Sequence, residues 1–88
     1  MGKILVVEDE GSIRELIVLN LEMAEYEVVE AATAEAALEL FTAAPESFKC
    51  AILDIMLPGM NGFTLCENIR AASPVVGIVM LSAKSLEA

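Results

Sequence analysis

Carboxylates and one hydroxyl directly follow apolar runs at three separate points in this sequence. Glu8 and Asp9 come after the run "KILVV", Asp54 closes the run "CAILD", and Ser82 follows the run "GIVML". Carboxylates brought together repel one another, so such a group either holds protons or binds a cation. Oxygen donors are the ligands that Mg2+ and Mn2+ prefer, and a neighbouring hydroxyl can donate a hydrogen bond to a phosphoryl oxygen. These residues are therefore candidates for a metal site that handles a phosphoryl group.

The two cysteines argue against a zinc site. Cys50 and Cys66 form no C-x-x-C pair, and the chain contains no histidine. Structural zinc sites are built from Cys and His ligands at close spacing. We therefore expect both thiols to be reduced, buried packing residues.

The composition is that of one small, acidic, folded domain. The chain has 88 residues, of which 57% are hydrophobic, and its net charge is -9. This charge disfavours direct contact with nucleic acid or an anionic membrane and favours cations or basic protein surfaces as partners. No apolar run approaches the roughly 20 residues of a membrane span, and "MGKILV" contains no secretory signal. The sequence therefore predicts a cytoplasmic protein. It also predicts one domain over residues 1–88 and no second domain.

Four apolar runs alternate with three helical patterns. Strands are predicted at Lys3 to Val7 and in "YEVVEA", "CAILD" and "VVGIVMLS". Ser12, with Glu15 three positions later, gives a capping-box signal for the first helix, and Thr33 can cap the second. The third helix is predicted from about Gly62 to Ala72. The βαβαβαβ order is typical of an α/β fold in which helical crossovers connect parallel strands.

Apolar residues at helical spacing give each predicted helix one inward face. In chain order these faces are Ile13, Leu16, Ile17, Leu21 and Ala24; Ala34, Ala37, Leu38 and Phe41; and Leu65, Cys66, Ile69 and Ala72. The runs "ILVV", "AILD" and "GIVML" are continuously apolar, which is typical of strands buried on both faces. Helices are therefore expected to cover both sides of the sheet.

The candidate site residues all follow the carboxyl ends of predicted strands. Parallel strands end at the same edge of a sheet, and neighbouring strands lie about 4.8 Å apart. If the first, third and fourth strands are neighbours, Asp9 and Asp54 face each other across one spacing, with Ser82 one strand further on. Ligands of open α/β sheets bind at this edge. Glu10, just ahead of a helix, is interpreted as a helix-end charge.

Three blocks of the sequence resemble the receiver domain of bacterial two-component response regulators. They are "ILVVEDE" with "SIREL", then "CAILDIMLPGMNGFTLCENIR", then "GIVMLSAKS", and together they span the chain in order. The middle block is the most specific, because an apolar strand ends in Asp and "MLPGMNG" follows directly. The resemblance implies a flavodoxin-like, doubly wound parallel sheet with strand order 2-1-3-4-5, of which four strands are present here.

The resemblance also implies a role for each site residue. Asp54 would be the phosphoacceptor, taking a phosphoryl group from the histidine of a partner sensor kinase. Asp9, Asp54 and the backbone carbonyl of Met56 would bind Mg2+, and Mn2+ is a possible substitute. Glu8 would bind the metal directly or through water, although the family often has the shorter Asp there. Ser82 would be the switch hydroxyl that turns toward the phosphoryl group.

The resemblance extends to the turn after the acceptor and to what lies beyond the fourth strand. Pro58 and Gly59 match the family's turn, and Ala83 is small enough to leave the phosphoryl group accessible. The family has a fifth strand with a Lys that pairs with the phosphoryl group, and Lys84 is too close to Ser82 to be assigned that role. The chain is therefore interpreted as a truncated, partial receiver domain. Its fourth strand would be an exposed, apolar edge, so the chain is expected to self-associate or to be poorly stable. A missing effector, typically a DNA-binding transcription regulator, would deliver the output.

Other functions remain as alternatives to a phosphorylation-dependent, non-enzymatic switch. A haloacid-dehalogenase-type phosphatase requires a second Asp two residues after the nucleophile, and this chain has Met56 there. A flavodoxin-like cofactor-binding domain wants a Gly-rich phosphate loop after the first strand, and none is present. A module that keeps the fold and binds partners without phosphorylation chemistry is the main alternative.

Overall fold

Within residues 2–81, four parallel strands form one sheet, and three α-helices pack against its two faces. The computed structural model describes residues 2–81. The strands are β1 (Lys3–Val7), β2 (Glu27–Ala31), β3 (Phe48–Asp54) and β4 (Gly77–Leu81), and the helices are α1 (Gly11–Met23), α2 (Ala34–Ala43) and α3 (Gly62–Ala72). The strand order is β2-β1-β3-β4, with all three pairings parallel. The α/β alternation and the neighbouring positions of the first, third and fourth strands are therefore confirmed.

None of the helices within residues 2–81 has the length and apolar character needed to cross a membrane.

The helix starts follow the predicted capping signals in α2 but not in α1. The Thr33 hydroxyl accepts a hydrogen bond from the Ala36 N–H at 3.1 Å, as predicted. The Ser12 cap is wrong, because Ser12 lies inside the first turn of α1 and Glu10 is the N-cap residue without a side-chain cap. The Glu10 carbonyl already accepts the N–H of Arg14 at 2.9 Å, so the helix begins before Ser12. The turn out of β1 thus fixes where α1 starts.

The core lies on both sides of the sheet. The larger part joins the sheet to α2 and α3, and its fully buried side chains include Phe41, Leu53, Leu65 and Ile69. The predicted inward faces of α2 and α3 are confirmed, with Leu38, Cys66 and Ala72 partly buried at their margins. On the other side, α1 packs against β1 through a smaller cluster of Ile4, Val6 and Val18.

The inward face of α1 differs from the prediction. Leu16 is 60% exposed and Ile13 is also exposed, whereas Val18 is buried. Arg14, Ile17, Val18 and Leu21 are the residues that share the inward side of the helix. Their spacing is helical, but the hydrophobic pattern does not include Arg14, which is charged. In this orientation of the helix, the Arg14 guanidinium reaches the ends of β1 and β2.

One face of β4 is less covered than its apolar sequence predicts. Ile78 and Met80 pack toward the α2–α3 side, but Val79 is 47% exposed and Leu81 is also exposed. A helix is about 10 Å wide and strands lie about 4.8 Å apart, so a single helix covers about two strands. On the other face α1 is the only helix among residues 2–81, and it lies over β1 and β2. Self-association stays a prediction.

Candidate functional site

The carboxyl ends of β1 and β3 bring three acids together. Carboxylate oxygens of Glu8, Asp9 and Asp54 all lie within 4.8 Å of one another. The register pairs Val7 with Leu53, so the residues that follow them meet at the same edge. Glu8 is 6% exposed and Asp54 is 7% exposed, whereas Asp9 is open to solvent. The structure thus assembles the predicted acidic cluster, with two acids at the bottom and one at the rim.

Each buried carboxylate accepts one backbone hydrogen bond from two residues further on. Glu8 Oε2 accepts from the Glu10 N–H at 3.0 Å, and Asp54 Oδ1 accepts from the Met56 N–H at 3.1 Å. These bonds fix the orientation of both side chains against the turns that follow their strands. An ionised carboxylate has about four acceptor positions, so most of the capacity of both groups is left for a cation and its waters.

The protein supplies no cationic side chain to these acids within residues 2–81. The two ion pairs of that region join Arg14 to Glu30 and Lys3 to Glu27. Burial raises the pKa of Glu8, and the charges of Asp54 and Asp9 raise it further, against the lowering effect of the Glu10 N–H. Within the described part of the chain, the negative charge of the cluster therefore has no cationic side chain beside it. Hard oxygen donors around such charge fit Mg2+, which binds through one or two carboxylates and keeps several waters.

The raised pKa of Glu8 predicts how the stability of the metal-free protein depends on pH. Because this pKa is raised above 4.5, the folded state holds a proton that the unfolded chain has lost between pH 4.5 and the raised value. Stability therefore falls as the pH rises through that window, and ionised Glu8 destabilises the fold above it. In chelator, Glu8→Gln is expected to be more stable than the unmodified chain at neutral pH, with the gain lost below pH 4.5. Urea unfolding at several pH values measures this.

The control for that measurement is Glu15→Gln. Glu15 is exposed on α1, so its substitution changes the net charge equally without touching the cluster. It is expected to give a smaller gain that does not follow the same pH window. If Glu8→Gln is no more stable than Glu15→Gln at neutral pH, the ionised Glu8 carboxylate does not destabilise the fold, and the prediction is wrong.

The loop after Asp54 turns back on itself and rests on two neighbouring elements. Gly59 has φ +75°, a left-handed conformation that favours glycine, so its predicted turn role is confirmed. The Glu35 carboxylate, from the first turn of α2, accepts the Met60 N–H at 3.4 Å. The Ile55 N–H donates to the Leu81 carbonyl of β4 at 2.9 Å. These contacts place the loop beside the acidic cluster.

The remaining predicted site residues are located only in part. Met56 lies in the loop after Asp54. Its side chain is exposed, and its N–H donates to the Asp54 carboxylate. Metal binding by its carbonyl stays a prediction. Ser82 lies outside the described residues, as do Ala83 and Lys84. Leu81, the last described residue of β4, pairs with Asp54.

Two residues at the site were missed by sequence reasoning. Arg14 contacts the ends of both β1 and β2, and its signal was its rarity: it is the only basic residue between Lys3 and Lys49. Gly62 is buried where α3 begins, and a Cβ there would meet the backbone of Asp54 and Ile55. Its sequence signal was indistinguishable from that of any turn glycine.

Comparison with known proteins identifies the family. A family model described as the response regulator receiver domain matches residues 4–88. The chain belongs to this family, and its sheet and helices are those of the flavodoxin-like fold of such receivers. Similar solved structures include a receiver domain protein of Clostridium thermocellum, at 28% identity and TM-score 0.90, covering 99% of this chain and 70% of that one. TrrA of Thermotoga maritima, solved in complex with Mg2+-BeF, has 37% identity and TM-score 0.87 over 94% of this chain and 70% of TrrA.

The curated relatives are longer regulatory proteins. PhoP of Bacillus subtilis, an alkaline phosphatase synthesis transcriptional regulatory protein, is 41% identical over 85 residues, which is 97% of this chain and 35% of PhoP. The regulatory protein VanR of Enterococcus faecium is 42% identical over 85 residues, covering 97% of this chain and 36% of VanR. The chain spans about a third of the length of these relatives.

Proposed function

We propose that this receiver domain is a phosphorylation-dependent switch in which Asp54 accepts a phosphoryl group. The observation that carries the proposal is the position of Asp54 at the end of β3, buried and within 4.8 Å of the carboxylate oxygens of Glu8 and Asp9. One Asp54 oxygen accepts the Met56 N–H at 3.1 Å, and the other oxygen is the candidate nucleophile. The cluster favours a phosphoacceptor over a module that merely binds partners, because three gathered carboxylates cost stability unless they bind a cation.

The chemistry is a phosphoryl transfer to a carboxylate. A carboxylate oxygen of Asp54 attacks phosphorus, the bond from phosphorus to the donor's imidazole nitrogen breaks, and an aspartyl phosphate forms. Mg2+ at this cluster would neutralise the charge that gathers on the phosphoryl oxygens. Asp9 and Glu8 would hold the metal, together with Asp54 and the Met56 carbonyl. The Ser82 hydroxyl would respond to the new phosphoryl group and shift the population of the two states of the domain.

The proposed partners follow from the relatives. TrrA has been solved in complex with the histidine kinase ThkA, which supports a sensor histidine kinase as the donor here. PhoP and VanR are regulatory proteins about three times as long as this chain, which supports a transcription effector as the output. We place this exchange in the cytoplasm, and we assign any nucleic-acid contact to the effector because the chain itself carries a net charge of -9.

Mg2+ is expected to stabilise the chain through the acidic cluster. At a concentration of about 10 times Kd, a ligand that binds the folded state alone stabilises it by about 1.4 kcal/mol. For a domain of this size the Tm then rises by roughly 5–10 °C. Asp9→Ala is expected to remove that rise, whereas Glu39→Ala, an exposed acid on α2, is expected to keep it. Thermal unfolding followed by circular dichroism measures both, and an undiminished rise in Asp9→Ala would place the metal elsewhere.

The experiment that tests the whole proposal is phosphorylation in solution. The chain is incubated with Mg2+ and acetyl phosphate, a small phosphodonor, and intact-protein mass spectrometry records whether one phosphoryl group is added. A gain that requires Mg2+ and disappears in chelator is the expected result. No gain with Mg2+ present would favour the module that keeps the fold without the chemistry.

A further inference from the structure

We infer that Arg14 is a positioning residue for the metal site, because it fixes the backbone from which Glu8 and Asp9 project. The inference rests on the proposed function, since it assigns the support of the proposed Mg2+ site. Arg14 lies on α1, outside the acidic cluster, and acts on it through the main chain. Its guanidinium ties together the ends of β1 and β2.

The contacts of Arg14 are specific and partly buried. Nη1 donates to the Glu8 carbonyl at 2.7 Å, and Nε donates to Glu30 Oε1 at 3.2 Å. The Arg14 side chain is 22% exposed, so it packs over the sheet edge instead of extending into solvent. A short hydrogen bond from a charged donor is among the stronger ones. The planar guanidinium holds both partners in one geometry, which a single point charge does not reproduce.

The Glu8 carbonyl is a sensitive point at which to hold the chain. β1 ends at Val7, and the Glu8 N–H donates to the Ala31 carbonyl of β2 at 3.2 Å. With Arg14 on its carbonyl, Glu8 has both backbone polar groups engaged. That carbonyl belongs to the planar peptide unit that contains the Asp9 nitrogen, so its orientation sets the direction in which Asp9 leaves the strand. Loss of the contact frees this peptide and lets the Asp9 carboxylate move away from Asp54.

Arg14 does not act as a counter-charge for the cluster. Its hydrogen bonds go to a backbone carbonyl and to Glu30, and it makes no ion pair with Glu8, Asp9 or Asp54. The two possible roles therefore predict opposite signs. Removing a positive charge near a cation site strengthens cation binding if charge alone matters. Removing a positioning contact weakens it.

The test is the Mg2+ affinity of Arg14→Met, measured by isothermal titration in the 88-residue chain. Methionine keeps an unbranched apolar stem and removes all donors. Groups that orient metal ligands typically contribute 10–100-fold to affinity, and we expect a loss of about 10-fold. Arg70→Met is the matched control, because Arg70 Nη1 also donates to a backbone carbonyl, that of Ser73, at 3.3 Å. Arg70 lies about 12 Å along α3 from Gly62, and its substitution is expected to leave affinity unchanged or slightly tighter.

Two further measurements separate positioning from a merely structural role. The Tm in chelator reports stability, and the affinity loss in Arg14→Met should persist at temperatures where the variant is fully folded. Arg14→Lys keeps the net charge and loses the fork, so an affinity between those of the unmodified chain and Arg14→Met is expected. This variant also decides the question if Arg14→Met does not fold.

The outcomes that overturn the inference are distinct from failure of the proposed function. Unchanged or tighter Mg2+ binding by Arg14→Met and Arg14→Lys, with normal binding by the unmodified chain, would overturn the positioning role alone. An equal loss in Arg70→Met would also overturn it. Absence of Mg2+ binding by the unmodified chain would overturn the metal site and this inference together.

Discussion

Asp54→Asn is expected to abolish phosphorylation by acetyl phosphate while leaving the fold intact. Asparagine has nearly the same shape, but its amide is not a nucleophile, so no acyl phosphate can form. Asp54 is 7% exposed, and its side chain accepts the Met56 N–H through one oxygen, a bond that the amide oxygen of asparagine can retain. Removing one of three crowded carboxylates also relieves repulsion at Glu8. Intact-protein mass spectrometry should therefore show no added phosphoryl group in a protein at least as stable as the unmodified chain.

Glu10→Gln is the matched control for that substitution. Glu10 follows Glu8 and Asp9 directly, but its side chain is exposed and only its backbone N–H takes part in the cluster. Its substitution changes the charge equally and is expected to keep full phosphorylation. A phosphoryl gain that survives in Asp54→Asn would move the acceptor to another residue. A loss in Glu10→Gln would show that the helix-end interpretation of Glu10 is wrong.

The fold could be predicted because its strong signals are local and repeat along the chain. Continuous apolar runs and helical stripes need no knowledge of distant partners, and they gave the order of elements. The inward face of α3 carries Leu65 and Ile69, which are fully buried. The acidic cluster followed from one further rule, that parallel strands end at one edge, together with the strand order that the receiver resemblance implied. The rule gave the shared edge, and the strand order placed Asp9 next to Asp54.

The parts that were missed depend on contacts between elements. The inward face of α1 includes Arg14, whose guanidinium donates to the Glu8 carbonyl at the end of β1, whereas Ile13 and Leu16 are exposed. Hydrophobic periodicity cannot register such a contact, since it scores a charged residue as outward-facing. The exposure of Val79 reflects how many strands one helix can cover, which is a property of the assembled layers. Both errors arise where tertiary packing decides between local options.

Gly59 and Gly62, which follow Asp54, also show that local sequence patterns do not reveal contacts between elements. Gly59 could be assigned to a turn because "LPGMNG" is rich in turn residues, and its φ of +75° agrees. Gly62 is needed for a different reason, the close approach of two backbones. Its N–H donates to the Ile55 carbonyl at 3.1 Å, which draws the start of α3 against the end of β3. Nothing local in the sequence distinguishes the two roles.

Gly62→Ala is accordingly expected to be strongly destabilising. An added Cβ would lie 2.7 Å from the Ile55 Cα and would also meet the Asp54 carbonyl oxygen. These are backbone atoms, which cannot rotate away as a side chain would, so α3 or the end of β3 must shift. Forcing an extra carbon into a packed site typically costs about 1–3 kcal/mol, and occasionally more. Urea unfolding should show that the free energy of unfolding falls by about 1–3 kcal/mol or more.

Gly11→Ala provides the comparison within the same chain. A Cβ at Gly11 has only the Arg14 Nη2 within 4 Å, at 3.8 Å, and α1 begins there. Alanine is the better helix former, so stability should stay the same or rise by up to about 1 kcal/mol. Because the clash at Gly62 falls on Asp54 itself, Gly62→Ala should also slow phosphorylation in the fraction that remains folded. Equal stability of the two variants would mean that α3 and β3 lie further apart at Gly62 than the structure shows. The position of Asp54 would then depend on the pairing of β3 with β4 and on the Met56 N–H.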